Sequence, residues 1–443
     1  MNSNHLYQYS RGYAYLRKFV SFMHSIYYKE ICIINPENIP ANGPVIFAPN
    51  HQNALMDALS IIFTNTRQSV FMARADIFKN EKVRKILTFL KIIPVYRIRD
   101  GKENLSNNDE SFEIILKVLE NDGAVGIMPE GNHGDQHRLR QLKKGFARFA
   151  FNAQEKFGQS VNLNIIPVGL EYSNYNIFRS KLLVIYGQPI KVSDYMEEYA
   201  LNPQRAISML RDRLAGELQR IMLNIDTDEH YEMIMKAKSV YGSLLQQKLN
   251  MGDTYYSLFQ SEKIISDSLT KISLSTPGKL EHLDQSISEL YSGLSRLHLT
   301  TQVFEKPPLN EKALYIDILR NLFFLPVAGF AAAFHFIPFW ISRFYSEKIK
   351  DSQFRSSVKF VLMLITFPIY YLLFMLMPIP FITKILILLI MPLFGVLTFD
   401  YLFSLPKLLG SWRYLKLKKE NSMDLTRLMQ VRQVIIQMLD QLI

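Results

Sequence analysis

The sequence predicts an α/β layered domain in its first half, a helical region after it, and a membrane-embedded helical segment near its end. Three observations carry this. Short apolar runs of strand length alternate with amphipathic helical spacings between residues 30 and 200. From 202 to 303 only long amphipathic helical spacings remain. Between 321 and 409 three long apolar stretches follow one another.

The elements follow in order. Residues 13–28 have helical apolar spacing rich in aromatics, which suits packing on a core or lying on a membrane surface. Strands are expected at 44–49, 69–73, 92–96, 124–128, 164–170 and 181–186, each a short apolar run. Cys32 lies in a further apolar, strand-like run. Helices are expected at 80–90, at 108–119 with Asn108 or Asp109 as cap, and at 145–157. Asn121-Asp122-Gly123 should end the second of these. Strands separated by helices argue a sheet with flanking helices. Residues 205–223 and 230–249 open the helical region, and 305–308 (EKPP) reads as a linker.

The apolar stretches lie at 322–341, 358–377 and 381–403. Each is near the ~20 residues that cross a hydrocarbon core. Basic residues decide the expected topology. Arg343, Lys348, Lys350, Arg355 and Lys359 lie between the first and second stretches. Lys407, Arg413, Lys416, Lys418 and Lys419 follow the third. If all three stretches crossed, both clusters would fall outside, against the positive-inside bias. A hairpin of the second and third, turned at 378–380, keeps them inside. The first stretch contains Pro326, Gly329, His335 and Pro338, so we expect it to be interfacial or re-entrant. The expected organisation is 1–29 amphipathic segment, 30–200 α/β domain, 201–310 helical region, 311–410 membrane segment and 411–443 basic helical tail.

Composition narrows the function. The 443 residues carry 51 Lys+Arg against 40 Asp+Glu, a net charge of +11 that points to an anionic partner. The single cysteine excludes an internal disulfide, a cysteine zinc site and an iron–sulfur cluster. Hydrophobic content of 48% excludes disorder. Residues 1–18 are polar and offer no signal-peptide core, so export by that route is not expected. The apolar segment and the lack of an aromatic–basic recognition motif argue against nucleic acid.

Four blocks bear chemistry. His51 follows the strand at 44–49, where α/β sheets place ligands, and Asp57 lies on the helix beyond. A carboxylate can fix the imidazole tautomer and stabilise the imidazolium, making a general base for a hydroxyl. Met128-Pro129-Glu130-Gly131-Asn132-His133 follows another strand, with Arg138, Arg140, Lys143 and Lys144 downstream, a loop suited to phosphate. The strand at 92–96 runs into Arg97 and Arg99, and 165–170 is a strand with an internal Pro167. No metal is expected: Gly134 between His133 and His137 disfavours the helix that a His-x3-His pair needs. There is no Gly-x-Ser-x-Gly elbow, and Cys32 lies away from these blocks, so no covalent intermediate is needed.

In order and spacing these blocks resemble the glycerolipid acyltransferase family, over about residues 28–195. The matches are His51 with Asp57, Arg97, Pro129-Glu130-Gly131 and Pro167. Two features depart from the common pattern. Five residues rather than four separate His51 from Asp57, and His133 stands where an arginine is usual. Both departures, with Asn53 inside the gap, are similar to the fungal-type glycerol-3-phosphate/dihydroxyacetone-phosphate acyltransferases. So, in part, is Leu139-Arg140-Gln141-Leu142-Lys143-Lys144-Gly145.

The resemblance implies acyl transfer from acyl-CoA or acyl carrier protein to a glycerophosphate hydroxyl, with no cofactor. His51 would be the base and Asp57 its orienting carboxylate. Arg97 and Lys143, with Arg99 or Lys144, would hold the acceptor phosphate; Asn53, Glu130 and Gly131 would shape the site. Membrane lipid would be a partner and the catalytic domain cytoplasmic. Other acceptors, such as a lysophospholipid or an amino-acid lipid, and a catalytically silent lipid-binding protein are the alternatives. On one helix, positions i and i+6 lie about 240° apart, so His51 is expected in the loop before the helix.

Overall fold

In a computed structural model the described residues are 4–8, 10–96, 107–158, 161–305 and 311–443. The chain divides into two compact units, Met1–Met222 with Ile349–Ser357, and Leu223–Lys348 with Val358–Ile443. The first is larger than the 30–200 expected and takes in a short segment from far along the chain.

Its elements are α1 (Asn4–Tyr7), α2 (Arg11–Tyr27), β1 (Glu30–Ile34), β2 (Val45–Pro49), α3 (Ala54–Thr64), β3 (Ser69–Arg74), α4 (Glu81–Phe89) and β4 (Ile92–Val95). There follow α5 (Asn107–Glu120), β5 (Ala124–Gly126), α6 (Lys144–Phe157), β6 (Asn164–Tyr172), β7 (Lys181–Tyr186), β8 (Ile190–Lys191), α7 (Met196–Leu201) and α8 (Pro203–Ile221). The helix expected to be capped by Asn108 or Asp109 begins at Asn107, so both residues lie in its first turn. The sheet order is β1-β7-β6-β2-β5-β3-β4, with β8 on β6. Neighbours are parallel except β7 and β8, which run antiparallel to β6.

β2 is central and buried at all five positions, as strands covered on both faces must be. Successive side chains alternate faces. Ile46 points into a core with Val125, Ile165, Ile115, Phe146 and Leu214, from α5, α6 and α8. Phe47 meets Tyr186 instead. On that side Tyr186 shares a hydrogen bond with Thr64 at 2.7 Å, which ties β7 to α3. β3 approaches β5 so closely that a Cβ on Gly126 would lie 2.1 Å from the Phe71 ring; only glycine fits. α2 packs on this unit through buried Tyr13, His24 and Tyr27, and Arg17 donates to the Ile62 carbonyl at the end of α3.

The second unit holds α9 (Tyr231–Lys248), α10 (Tyr255–Ser275), α11 (Glu281–Arg296), α12 (Gln302–Glu305), α13 (Glu311–Glu347), α14 (Arg355–Phe374), α15 (Phe381–Lys419) and α16 (Met423–Leu442). The first three residues of α14 belong to the first unit. One core joins Ile234, Ile265, Leu290 and Ile435, so the tail helix α16 packs with the helical region rather than standing apart. Beyond Glu305, the linker expected at 305–308 lies outside the described residues.

α13, α14 and α15 are each long and apolar enough to cross a membrane. α13 runs unbroken through Pro326 and Pro338. A re-entrant form of 322–341 would need a break at these prolines, and the helix has none. Apolar surroundings offer peptide groups no water to bond, so the helix persists across its prolines, as α15 does across Pro392 and Pro406.

Candidate active site

The C-terminal ends of parallel neighbours β2 and β5 open onto the same edge of the sheet, the place where such sheets build sites. The loop after β2 carries His51. Asn50 anchors it, exchanging two hydrogen bonds with the Leu170 backbone of β6 at 2.7 and 3.0 Å. α3 begins at Ala54, in the left-handed conformation with φ 43°. That turn takes up the extra residue of the gap. His51 thus precedes the helix and Asp57 lies in its first turn.

Asp57 is fully buried and accepts four hydrogen bonds. Its Oδ2 receives Nδ1–H of His51 at 2.9 Å and the backbone N–H groups of Gln52 and Asn53 at 2.8 and 2.7 Å. Its Oδ1 receives the Tyr172 hydroxyl at 2.7 Å. A carboxylate so held fixes the His51 tautomer with Nε2 as the acceptor. Among the described residues Nε2 has no hydrogen-bond partner, and the side chain stays 15% exposed.

The loop after β5 brings Glu130 to the same place. Its Oε1 accepts the His51 backbone N–H at 2.8 Å and its Oε2 that of Arg140 at 3.1 Å. Burial pushes Glu130 up to about 7, opposed by those two donors. Gly131 turns the chain at φ 68°, and a Cβ there would press on Cγ of Lys143 at 3.2 Å. Lys143 caps α6 and Lys144 opens it, both side chains exposed. The ring of His133 stands 5.6 Å from that of His51, edge to face.

The Acyltransferase family model matches residues 30–171, the stretch that carries this site. Glycerol-3-phosphate O-acyltransferase 2 of Saccharomyces cerevisiae is 31% identical over 30% of this chain and 18% of its own length. 1-Acyl-sn-glycerol-3-phosphate acyltransferase of Borreliella burgdorferi is 26% identical over 44% of this chain and 74% of its own. A crystal structure of a 1-acyl-sn-glycerophosphate acyltransferase from Thermotoga maritima aligns over 48% of this chain and 81% of that one, at 17% identity and a TM-score of 0.34. The chain thus spans under a fifth of the length of the first of these relatives.

Of the residues expected at the acyltransferase site, His51, Asn53, Asp57, Glu130, Gly131 and Lys143 come together, with Lys144 beside them. Arg97 and Arg99 lie outside the described residues. His137 is turned to Glu171 at 3.2 Å, and among the described residues no group of three His, Cys, Asp or Glu side chains could hold a metal.

Sequence reasoning missed Tyr172. The strand was expected to end at Leu170, but it runs two residues further and delivers the phenol to Asp57. Reasoning also missed Asp351, Phe354, Ser356 and Ser357. Asp351 Oδ2 accepts from Nε2 of His133 at 3.1 Å, and Ser356 donates its hydroxyl to Oδ1 of Asn53. No local signal marks residues 300 positions away.

Proposed function

We propose that the chain is a membrane-bound enzyme that moves a fatty acyl group from a thioester to a hydroxyl of a glycerophosphate. The observation that carries this is the His51–Asp57 pair, with Nδ1 committed to the carboxylate and Nε2 left for substrate. Nε2 takes the hydroxyl proton as the oxygen attacks the thioester carbonyl. The tetrahedral intermediate collapses, the C–S bond breaks, and His51 gives its proton to the leaving sulfur, so the free thiol departs and the neutral base is restored. Asp57 stabilises the imidazolium between these steps.

The acceptor we propose is glycerol-3-phosphate or its 1-acyl derivative, in phospholipid synthesis, with acyl-CoA or acyl carrier protein as donor and no cofactor. The names of the relatives and the resemblance of the motifs support it. Lys143, beside Gly131, supplies a cation for the phosphate, with Arg97 and with Lys144 or Arg99. The catalytic domain is cytoplasmic, where the thioesters are. α14 and α15 cross the membrane as a hairpin, and α13 stays on the cytoplasmic side.

The test is a competition assay on the purified full chain. Glycerol-3-phosphate, dihydroxyacetone phosphate and 1-acyl-glycerol-3-phosphate are offered together, with each donor. Transfer to a glycerophosphate is expected, falling ~10²–10⁴-fold in His51→Ala. No transfer to any of the three, or an unaffected His51→Ala enzyme, would overturn the proposal.

A further inference from the structure

The segment Ile349–Ser357 joins two apolar helices yet packs as part of the catalytic unit. It is braced from within. Asp351 caps its short turn by accepting the Gln353 N–H at 3.2 Å, and Arg355 donates to the Ile349 carbonyl at 3.1 Å. So braced, it presents four groups to the site. The Asp351 carboxylate accepts from Nε2 of His133. The Phe354 ring meets the His133 ring nearly at right angles, 4.7 Å between centroids. The Ser356 hydroxyl donates to Asn53, and Ser357 Oγ accepts the Leu55 N–H at 3.2 Å, in the first turn of the helix that carries Asp57.

The consequence for His133 is the most telling. Its ring meets both the Phe354 ring and the His51 ring nearly at right angles. The carboxylate and one of the aromatic rings that touch it come from the remote segment. Phe354 and Asp351 act on the ring together: the aromatic edge fixes its tilt, and the charged acceptor fixes its rotation.

We infer that Ile349–Ser357 is a working part of the active site, and that Asp351 and Phe354 are positioning residues that hold His133 beside the base to bind the acceptor. The inference rests on the acyl-transfer reading for its kinetic consequence, though not for the contact itself. His133 lies on the loop proposed to hold the phosphate, with its ring 5.6 Å from that of His51, so its placement should govern the acceptor and leave the thioester untouched. A hydrogen bond to a charged group is worth about 1.5–3 kcal/mol. Losing it is a ~10–100-fold loss where His133 acts.

Two measurements on the full chain in native membranes test this. The first is kinetic. Asp351→Ala should lower kcat/KM for the acceptor ~10–100-fold and leave the KM of the acyl donor unchanged. Asp351→Asn, which can still accept the hydrogen bond, should recover part of the loss. His133→Ala with Asp351→Ala should be no worse than His133→Ala alone, because both remove one unit. Independent, additive losses, or equal effects on donor and acceptor, would overturn the inference.

The second needs no activity. Cysteines placed at 133 and 354 in a Cys32→Ser background should be joined by a short bifunctional thiol reagent, which spans the gap left when the two touching rings are removed, as mapped by peptide mass. Failure to cross-link would also overturn the inference. A cross-linked protein whose parent shows no transfer to any acceptor would instead sink the acyl-transfer reading and leave the contact standing.

Discussion

Replacing Asp57 by asparagine separates what its charge does from what its shape does. An asparagine can turn its oxygen to His51, Gln52 and Asn53 and its amide to Tyr172. The phenol would then donate to Ser60, whose Oγ is already 3.3 Å away. The fold therefore survives, at a cost of about 1–3 kcal/mol as charged hydrogen bonds become neutral ones. Catalysis does not survive so well. At 2.9 Å and an effective dielectric constant near 20, carboxylate and imidazolium attract by roughly 5–6 kcal/mol. The neutral hydrogen bond that replaces this keeps about 1 kcal/mol. The remainder, roughly 4–5 kcal/mol, is a ~10³–10⁴-fold loss in kcat. Initial rates at saturating donor and acceptor, with a melting curve and circular dichroism on the same sample, check it. A folded Asp57→Asn enzyme within tenfold of wild type would refute the idea that this carboxylate stabilises a charged His51.

Other outcomes follow from the same geometry. Because burial raises Glu130 to about 7, the folded state binds more protons than the unfolded state between pH ~4.5 and 7. Stability should therefore fall as pH rises through that window, and Glu130→Gln should flatten the fall; parallel slopes in melting temperature against pH would contradict this. Ala54 sits at φ 43°, so Ala54→Val should cost more than ~1 kcal/mol and Ala54→Gly should be tolerated, as urea unfolding would show. Lys143→Ala should raise the KM of the acceptor more than that of the donor, measured by varying each in turn. A cysteine at Ser352, in a Cys32→Ser background, should resist a membrane-impermeant thiol reagent added to intact cells; labelling from outside would mean that the loop and the catalytic domain lie on the outer face.

Much of the first unit was legible because its signals are local. The strand expected at 181–186 is β7 to the residue, since five of its six positions are buried and read as one apolar run. His51 was placed before the helix by angular arithmetic alone, although the left-handed Ala54 that makes this possible leaves no trace in composition. β8, two residues long, was too short to register. Tyr172 escaped notice because a tyrosine at a strand end looks like any other aromatic, and its role is set by a carboxylate 115 positions away. The segment Ile349–Ser357 was read only for its charge, which says which side of a membrane it takes and nothing of what it touches.

That segment also puts a clock on the enzyme. His51 emerges from the ribosome some 303 residues before Phe354. At 5–20 residues per second the interval is about 15–60 s. In its later part, once β8 has been made, the strands, the base and its carboxylate can all be in place while His133 and Asn53 still lack their partners. Those partners arrive only once the first long apolar helix has been made and the second has begun. On the proposed function, a nascent chain stalled before that point carries its base without a finished acceptor site, and activity is deferred until the chain has reached its long apolar helices.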